Sequence, residues 1–214
     1  MPNVLIVDDH PSTRDGLVTR IGLEPDLQVC GEAADVDEAL QLIRQLHPQI
    51  AIIDVSLKTG NGIELIKLVK AEELQTRMLV WSMYDESLYA ERALRAGAMG
   101  YINKENVTGV IIDAIRRILV GEIFVSPELA ARMLHRVVRG SEAVGRSPVD
   151  ALSDRELETF ECIGRGMKTV DIATKMGLSP KTIETYRARI KEKLELDDMA
   201  SLTREAVQWT LENG

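Results

Sequence analysis

Ile50-Ala51-Ile52-Ile53 runs straight into one carboxylate, Asp54, and Val4-Leu5-Ile6-Val7 runs into two, Asp8 and Asp9. Short continuous apolar runs rich in β-branched residues predict strands buried on both faces. An acid at the C-terminal end of such a strand lies where open α/β sheets hold their ligands. If the two strands are neighbours, three carboxylates converge on one small volume. Their repulsion favours a bound cation or a raised pKa. Oxygen-only ligands with room for water and a phosphate suit Mg²⁺. His10 stands beside the acids, but one imidazole with no second soft ligand reads as a loop residue.

The elements that must position these acids alternate. Residues 4–8 read as a strand, and Pro11 can open a helix carrying Leu17, Val18 and Ile21. Leu27 to Cys30 is a second short strand. Asp37-Glu38 start a helix with Ala39, Leu40, Ile43 and Leu46 on one face. After Pro48 comes the strand into Asp54. Asn61-Gly62 signals a turn, and Ile63, Ile66, Leu68 and Val69 follow in a helix. Met78 to Ser82 is a fourth strand, Glu86 to Arg95 a helix ended by Gly97, and Met99 to Lys104 a fifth strand. Val107 to Leu119 is a helix with Val110, Ile111, Ala114, Ile115 and Ile118 inward, ended by Gly121. Five strands alternating with helices predict an α/β, doubly wound, five-stranded parallel sheet.

Residues 1–121 resemble the receiver domain of a two-component response regulator, which has a flavodoxin-like sheet. Five separated features carry the resemblance: the pair Asp8-Asp9, Asp54 closing the third strand, Ser82 closing the fourth, Tyr101 in the fifth, and Lys104 at its end. The resemblance implies that Asp54 is the phosphoacceptor, taking its phosphoryl group from a sensor histidine kinase. It implies that Asp8, Asp9, Asp54 and the backbone carbonyl of Ser56 bind Mg²⁺, Asp8 partly through water. Lys104 and Ser82 would contact the phosphoryl oxygens, and Ser82 and Tyr101 would form the switch. Phosphoryl transfer needs positioning and charge neutralisation more than covalent help, so the domain would act only on itself, by self-phosphorylation and autodephosphorylation, and is not a turnover enzyme. One position departs from the family: Lys58 stands where proline is common, which bears on the lifetime of the phosphoryl group.

The second half is helical. Ser126-Pro127-Glu128 open a helix through Val138, with Leu129, Ala130, Met133, Leu134 and Val137 as its apolar stripe, and 140–150 reads as linker. Ser153 to Glu156 form a capping box. Thr169 can cap a short helix, Gly177-Leu178 turn, and Ser179 caps the next helix with Pro180 at its first position. Helix, short turn, helix reads as a helix-turn-helix. Residues 152–209 resemble the LuxR-type DNA-binding domain of NarL/FixJ-family regulators, through Leu152 to Glu156, Gly166, Ile172-Ala173, Leu178-Ser179, Thr182-Ile183 and Lys193-Leu194. Thr169 and Tyr186 depart, where the family often has asparagine and histidine. The resemblance puts the helix from Pro180 into the major groove of double-stranded DNA. Lys181, Thr182, Tyr186, Arg187, Arg189, Lys191 and Lys193 are then candidates for phosphate contact, and Glu184, Thr185 and Ala188 for base contact. The last helix resembles the family's dimerising helix, with Leu202, Ala206, Val207 and Trp209 as candidates; core packing is the second reading for them. The organisation expected is a receiver domain over 1–121, a connecting helix and linker over 122–149, and a smaller all-α helix-turn-helix domain over 150–214.

Charge and composition bound these expectations. The chain of 214 residues carries a net charge of −8, which argues against a wholesale nucleic-acid coat. Residues 150–214 hold 10 basic and 13 acidic residues, but within 181–193 the balance is five basic to two acidic, a local +3. No apolar run approaches the roughly 20 residues that span a bilayer, and no basic-then-apolar leader opens the chain. Cys30 and Cys162 lack metal-ligand spacing and read as buried thiols. A cytoplasmic transcriptional regulator that forms a homodimer on phosphorylation is the reading that unites these features. A phosphorylation-independent regulator, and a receiver-based interaction module with weak DNA binding, are the alternatives. A haloacid-dehalogenase-type phosphatase would want an acid two residues after the nucleophile, where Ser56 stands.

Overall fold

The computed structural model describes residues 1–105, 109–139 and 148–213, with the side chains of 136–139 and 213 left aside. The expected linker at 140–150 therefore falls mostly outside the described residues, as does Val137 of the apolar stripe. The chain divides into two compact units, Met1–Leu134 and His135–Gly214.

In the first unit β1 (Asn3–Val7), β2 (Gln28–Ala33), β3 (Ile50–Ile53), β4 (Arg77–Ser82) and β5 (Gly100–Asn103) form one sheet in the order β2-β1-β3-β4-β5. Every described pairing is parallel. All four residues of β3 are buried, as a strand covered on both faces requires. Helices α1 (Pro11–Gly22) and α5 (Val110–Leu119) close one face: Leu17 and Ile21 join Ile111, Ala114, Ile115 and Ile118 over Val4, Ile6, Ile50 and Ile52. Helices α2 (Val36–Leu46), α3 (Gly62–Ala71) and α4 (Glu86–Ala96) pack in sequence, α2 on β2 and α3, α3 on α4, and α4 on β5.

Several boundaries differ from the sequence reading. β2 runs three residues past Cys30, because main-chain pairing with β1 continues to Ala33 although Gly31 and Glu32 are poor strand formers. Leu46 and Leu68 are substantially exposed, each lying beyond the buried stripe of its helix. Asn61 does more than turn the chain: its side chain accepts from Ile63 N at 2.8 Å and caps α3. After α5 the chain returns to the sheet. Phe124 donates to Met99 O at 2.9 Å and accepts from Tyr101 N at 3.0 Å, forming a short bridge beside β5. Helix α6 (Pro127–Arg139) then begins, with Ser126 N donating to Glu86 Oε1 at 3.2 Å. Of its expected stripe, Leu129 is buried and Leu134 is largely exposed.

The second unit is helical: α7 (Asp154–Gly164), α8 (Thr169–Met176), α9 (Pro180–Lys193) and α10 (Met199–Asn213), preceded by a 3₁₀ turn at Pro148–Ala151. The capping box at Ser153 and Glu156 is formed in both directions. Helix α10 lies against α7 where Gly164 has no side chain; a Cβ there would stand 2.4 Å from Ala206 O. Phe160 and Trp209 meet edge to face at 5.6 Å in the same core.

Candidate functional site

The acids and the lysine lie immediately beyond the C-terminal ends of three strands, and Ser82 closes a fourth. Asp8 follows β1, Asp54 follows β3, Ser82 ends β4 and Lys104 follows β5. Main-chain bonds fix each exit: Asp54 N donates to Val7 O at 2.8 Å, and Lys104 N donates to Ser82 O at 2.8 Å. Gly62 sets the floor behind Asp54. It donates to Val55 O at 2.9 Å, and a Cβ on it would fall 2.0 Å from Asp54 O.

Asp8, Asp54 and Ser82 are buried. Lys104 Nζ reaches Asp8 Oδ2 at 2.6 Å and Asp54 Oδ2 at 2.5 Å. Ser82 Oγ donates to Asp54 Oδ1 at 2.6 Å, and Ser56 N approaches the same oxygen at 3.4 Å. Burial pushes the Asp54 carboxyl above the usual range; Lys104 and Ser82 pull against this and Asp8 adds to it. Burial opposes the charge on Lys104, but Asp54 and Asp8 hold its ammonium above its ordinary value. Lys104 is shared by Asp8 and Asp54, and Asp9 lies beside them.

Ligand atoms of Asp8, Asp9, His10 and Asp54 all lie within 4.8 Å of one another. Asp9 Oδ1 is buried without a hydrogen bond. His10 Nδ1 lies 2.7 Å from it, close but not aligned as a donor. An orphaned carboxylate oxygen in an oxygen-rich cluster fits a hard divalent cation. His10, which the sequence places in a loop, is the residue before α1, and its imidazole borders the acids. Trp81 is a second neighbour that the sequence did not mark, with its ring centroid 5.3 Å from Lys104 Nζ.

Tyr101 is buried, and its hydroxyl donates to Tyr84 O at 2.8 Å. Ser82 already faces Asp54. The inward positions of both switch candidates are therefore the ones occupied here.

In the second unit, Gly177 takes φ +64° between α8 and α9, and Ser179 Oγ accepts from Thr182 N at 3.1 Å. Ile172, Ala173, Met176, Ile183 and Ile190 are buried, while Lys181, Glu184, Thr185, Ala188 and Arg189 share the exposed face of α9. Thr182 and Lys191 are half-buried.

Four expectations are corrected. Arg187 turns to α8, where it donates to the Thr169 hydroxyl and to Glu184 Oε1, so it is not free on the groove face. Lys193 is held by Glu156 at 2.6 Å and Ala151 O at 3.2 Å. Thr169 is the first residue of α8, not its cap; Lys168 has that position and Thr169 Oγ1 donates to Glu184 instead. Leu202, Ala206 and Trp209 are buried in the core against α7, because the apolar stripe of α10 is needed there; they cannot form a dimer surface directly. The opposite face carries Ala200, Thr203, Arg204, Val207, Gln208 and Leu211.

Residues 4–116 match the family described as "Response regulator receiver domain", and residues 150–206 match "Bacterial regulatory proteins, luxR family". The chain is a response regulator of the NarL/FixJ family. Similar relatives extend along the whole regulator. The transcriptional regulatory protein UhpA of Escherichia coli is 34% identical over 204 residues, 95% of this chain and 97% of that protein. The response regulator GacA of Pseudomonas protegens is 33% identical over 208 residues, 97% and 96% of the two chains. Among solved structures, a LuxR-family response regulator from Aurantimonas covers 64% of this chain and 99% of its own at 33% identity and TM-score 0.60. RcsB of Salmonella enterica bound to a promoter covers 96% and 98% at TM-score 0.63; at 24% identity that likeness concerns the fold. The regulator thus pairs a receiver domain with a LuxR-type DNA-binding domain. Among the described residues no helix is long and apolar enough to cross a membrane.

Proposed function

We propose that Asp54 accepts a phosphoryl group from a histidine kinase and that this controls dimerisation and promoter binding by the helix-turn-helix. The observation that carries the reading is the double engagement of Asp54: Lys104 on Oδ2 and Ser82 on Oδ1. In the transfer, an Asp54 carboxylate oxygen forms the bond to phosphorus while the phosphorus–nitrogen bond of the kinase's phosphohistidine breaks and its imidazole leaves. Lys104 has its ammonium where charge develops on the phosphoryl oxygens, and Ser82 has a hydroxyl to donate to one of them. Asp8, Asp9, Asp54 and the Ser56 carbonyl would hold Mg²⁺, which would neutralise the transferring group. Its fit rests on the crowded carboxylates and the orphaned Asp9 oxygen.

The phosphoryl group adds about −1.5 to −2 charges. Lys104 and Ser82 would keep their inward positions on it, and Tyr101 would keep its bond to Tyr84 O, so the phosphorylated pocket favours the packing already described for β4 and β5. The receiver role belongs to 1–121, the connector to 122–149 and DNA binding to 150–214. On α9, Lys181 and Arg189 are the exposed cations for phosphates, with Thr182 and Lys191 beside them, and Glu184, Thr185 and Ala188 face the bases. Dimerisation would use the outward face of α10, where Val207 and Leu211 are exposed. Kinase output and chromosomal DNA meet in the cytoplasm, where this regulator would act.

The test is incubation with a small phosphodonor, with and without Mg²⁺, followed by intact mass. One Mg²⁺-dependent phosphoryl is expected in the wild type and none in Asp54→Ala. Phosphorylated protein should then bind promoter DNA more tightly and elute as a dimer. Tight promoter binding that ignores both phosphodonor and Asp54→Ala would instead select the phosphorylation-independent regulator.

A further inference from the structure

Three polar side chains meet where α8 begins and α9 passes it. Thr169 Oγ1 donates to Glu184 Oε1 at 2.8 Å. Arg187 donates through Nη1 both to the Thr169 hydroxyl and, at 3.2 Å, to Glu184 Oε1. The apolar contacts that hold the two helices together lie elsewhere, at Ile172, Ala173, Met176, Ile183 and Ile190. Arg187 leaves its Nε buried without a partner. An unsatisfied buried donor is costly, so the guanidinium is turned this way at the expense of its own hydrogen bonding. Both donors converge on one carboxylate oxygen. Glu184 itself remains largely exposed, on the face it shares with Thr185 and Ala188.

We propose that Thr169 and Arg187 are positioning residues that fix Glu184, so that its second oxygen, Oε2, reads one base pair by accepting from the amino group of cytosine. The inference rests on α9 being the helix that enters the major groove. There, guanine offers acceptors at N7 and O6 and thymine an acceptor at O4, all of which repel a carboxylate. Adenine offers an amino donor beside its N7 acceptor, whereas the cytosine edge offers the amino donor alone. A free glutamate would lose side-chain entropy on docking; one already tied at Oε1 loses less. Arg187 also offsets the repulsion between this carboxylate and the DNA phosphates.

The experiment uses the full chain. Its half-site is first selected from a randomised duplex pool, and every position is then replaced by the other base pairs in competition binding at two salt concentrations. Wild type, Thr169→Val, Thr169→Ser and Glu184→Ala are compared. The expected result is one position at which wild type prefers cytosine by about tenfold. Glu184→Ala levels that position and leaves the others. Thr169→Val lowers the preference there at least about threefold, with salt slope and melting temperature unchanged, and Thr169→Ser restores it. An unchanged base profile in Thr169→Val, or an even loss across all positions in Glu184→Ala, overturns the proposal. Failure of the wild type to bind any duplex in a salt-dependent way removes the reading of α9 beneath it as well.

Discussion

Two carboxyl groups respond to pH in opposite senses. Asp54 is pushed up by burial against the pull of Lys104 and Ser82. A carboxyl whose folded pKa exceeds its unfolded value, about 3.9, contributes its full stability below that value. The contribution is lost as pH rises through the folded pKa. Asp54→Asn should therefore unfold at a higher urea midpoint than wild type at pH 7, with the gap closing in acid. A lower midpoint for the variant at pH 7 would mean that Lys104 compensates the buried charge in full. Glu156 is the reverse case. Burial would raise it, but Lys193 and the Ser153 main chain and hydroxyl hold it below the carboxylate norm. Its contribution is present above the unfolded value and is lost as pH falls through the folded one. Glu156→Gln should cost about 1 kcal/mol at pH 7 and progressively less as the pH falls into the acid range, as urea titrations would read. The strand-end acids, Ser82 and Lys104 were legible because each closes or follows an apolar run. Arg187 and Lys193 were not. Long side chains turn to whichever partner the fold supplies, and the Lys193 partner is 37 residues away in sequence.

Among the elements, apolar runs identified β1, β3 and β4, since a doubly covered strand has little freedom in composition; the edge strand β2, with Gln28, Gly31 and Glu32, carries a weaker signal. Their ends were less legible, because pairing with a neighbour rather than side-chain type stops β2 at Ala33. The loop after β3 shows what a turn signal conceals. Asn61-Gly62 reads as a bend, yet Gly62 is where α3 comes close to the Asp54 carbonyl, 2.0 Å from the point a Cβ would occupy. Gly62→Ala forces α3 or Asp54 to shift. It should destabilise the receiver unit by about 1–3 kcal/mol, measured by denaturant, and should slow phosphoryl uptake from a small donor more than an equally destabilising change on α1. Undiminished uptake would show that the loop absorbs the methyl group by moving away from Asp54.

At the scale of the molecule, two units with separate cores should have separate fates. Trp209→Ala empties the contact with Phe160 and should cost the C-terminal unit about 3–5 kcal/mol. Calorimetry should then show one transition lowered and the other kept, while Mg²⁺ should raise only the transition of the unit that holds the acids. A single transition moved by both would contradict this. The division into an α/β and a helical half was readable from the change in periodicity. The roles of the two faces of α10 were not, because an amphipathic stripe serves a core and a partner equally well. The bridge made by Phe124 has a consequence for solubility. A parallel sheet ends in two rims of unpaired main-chain groups, each a template on which another chain can add. Phe124 occupies such groups on Met99 and Tyr101 at the β5 rim. Strand-by-strand growth of an aggregate is therefore hindered on that side and has its opening at β2, whose Glu32 is paired with Arg14 of α1.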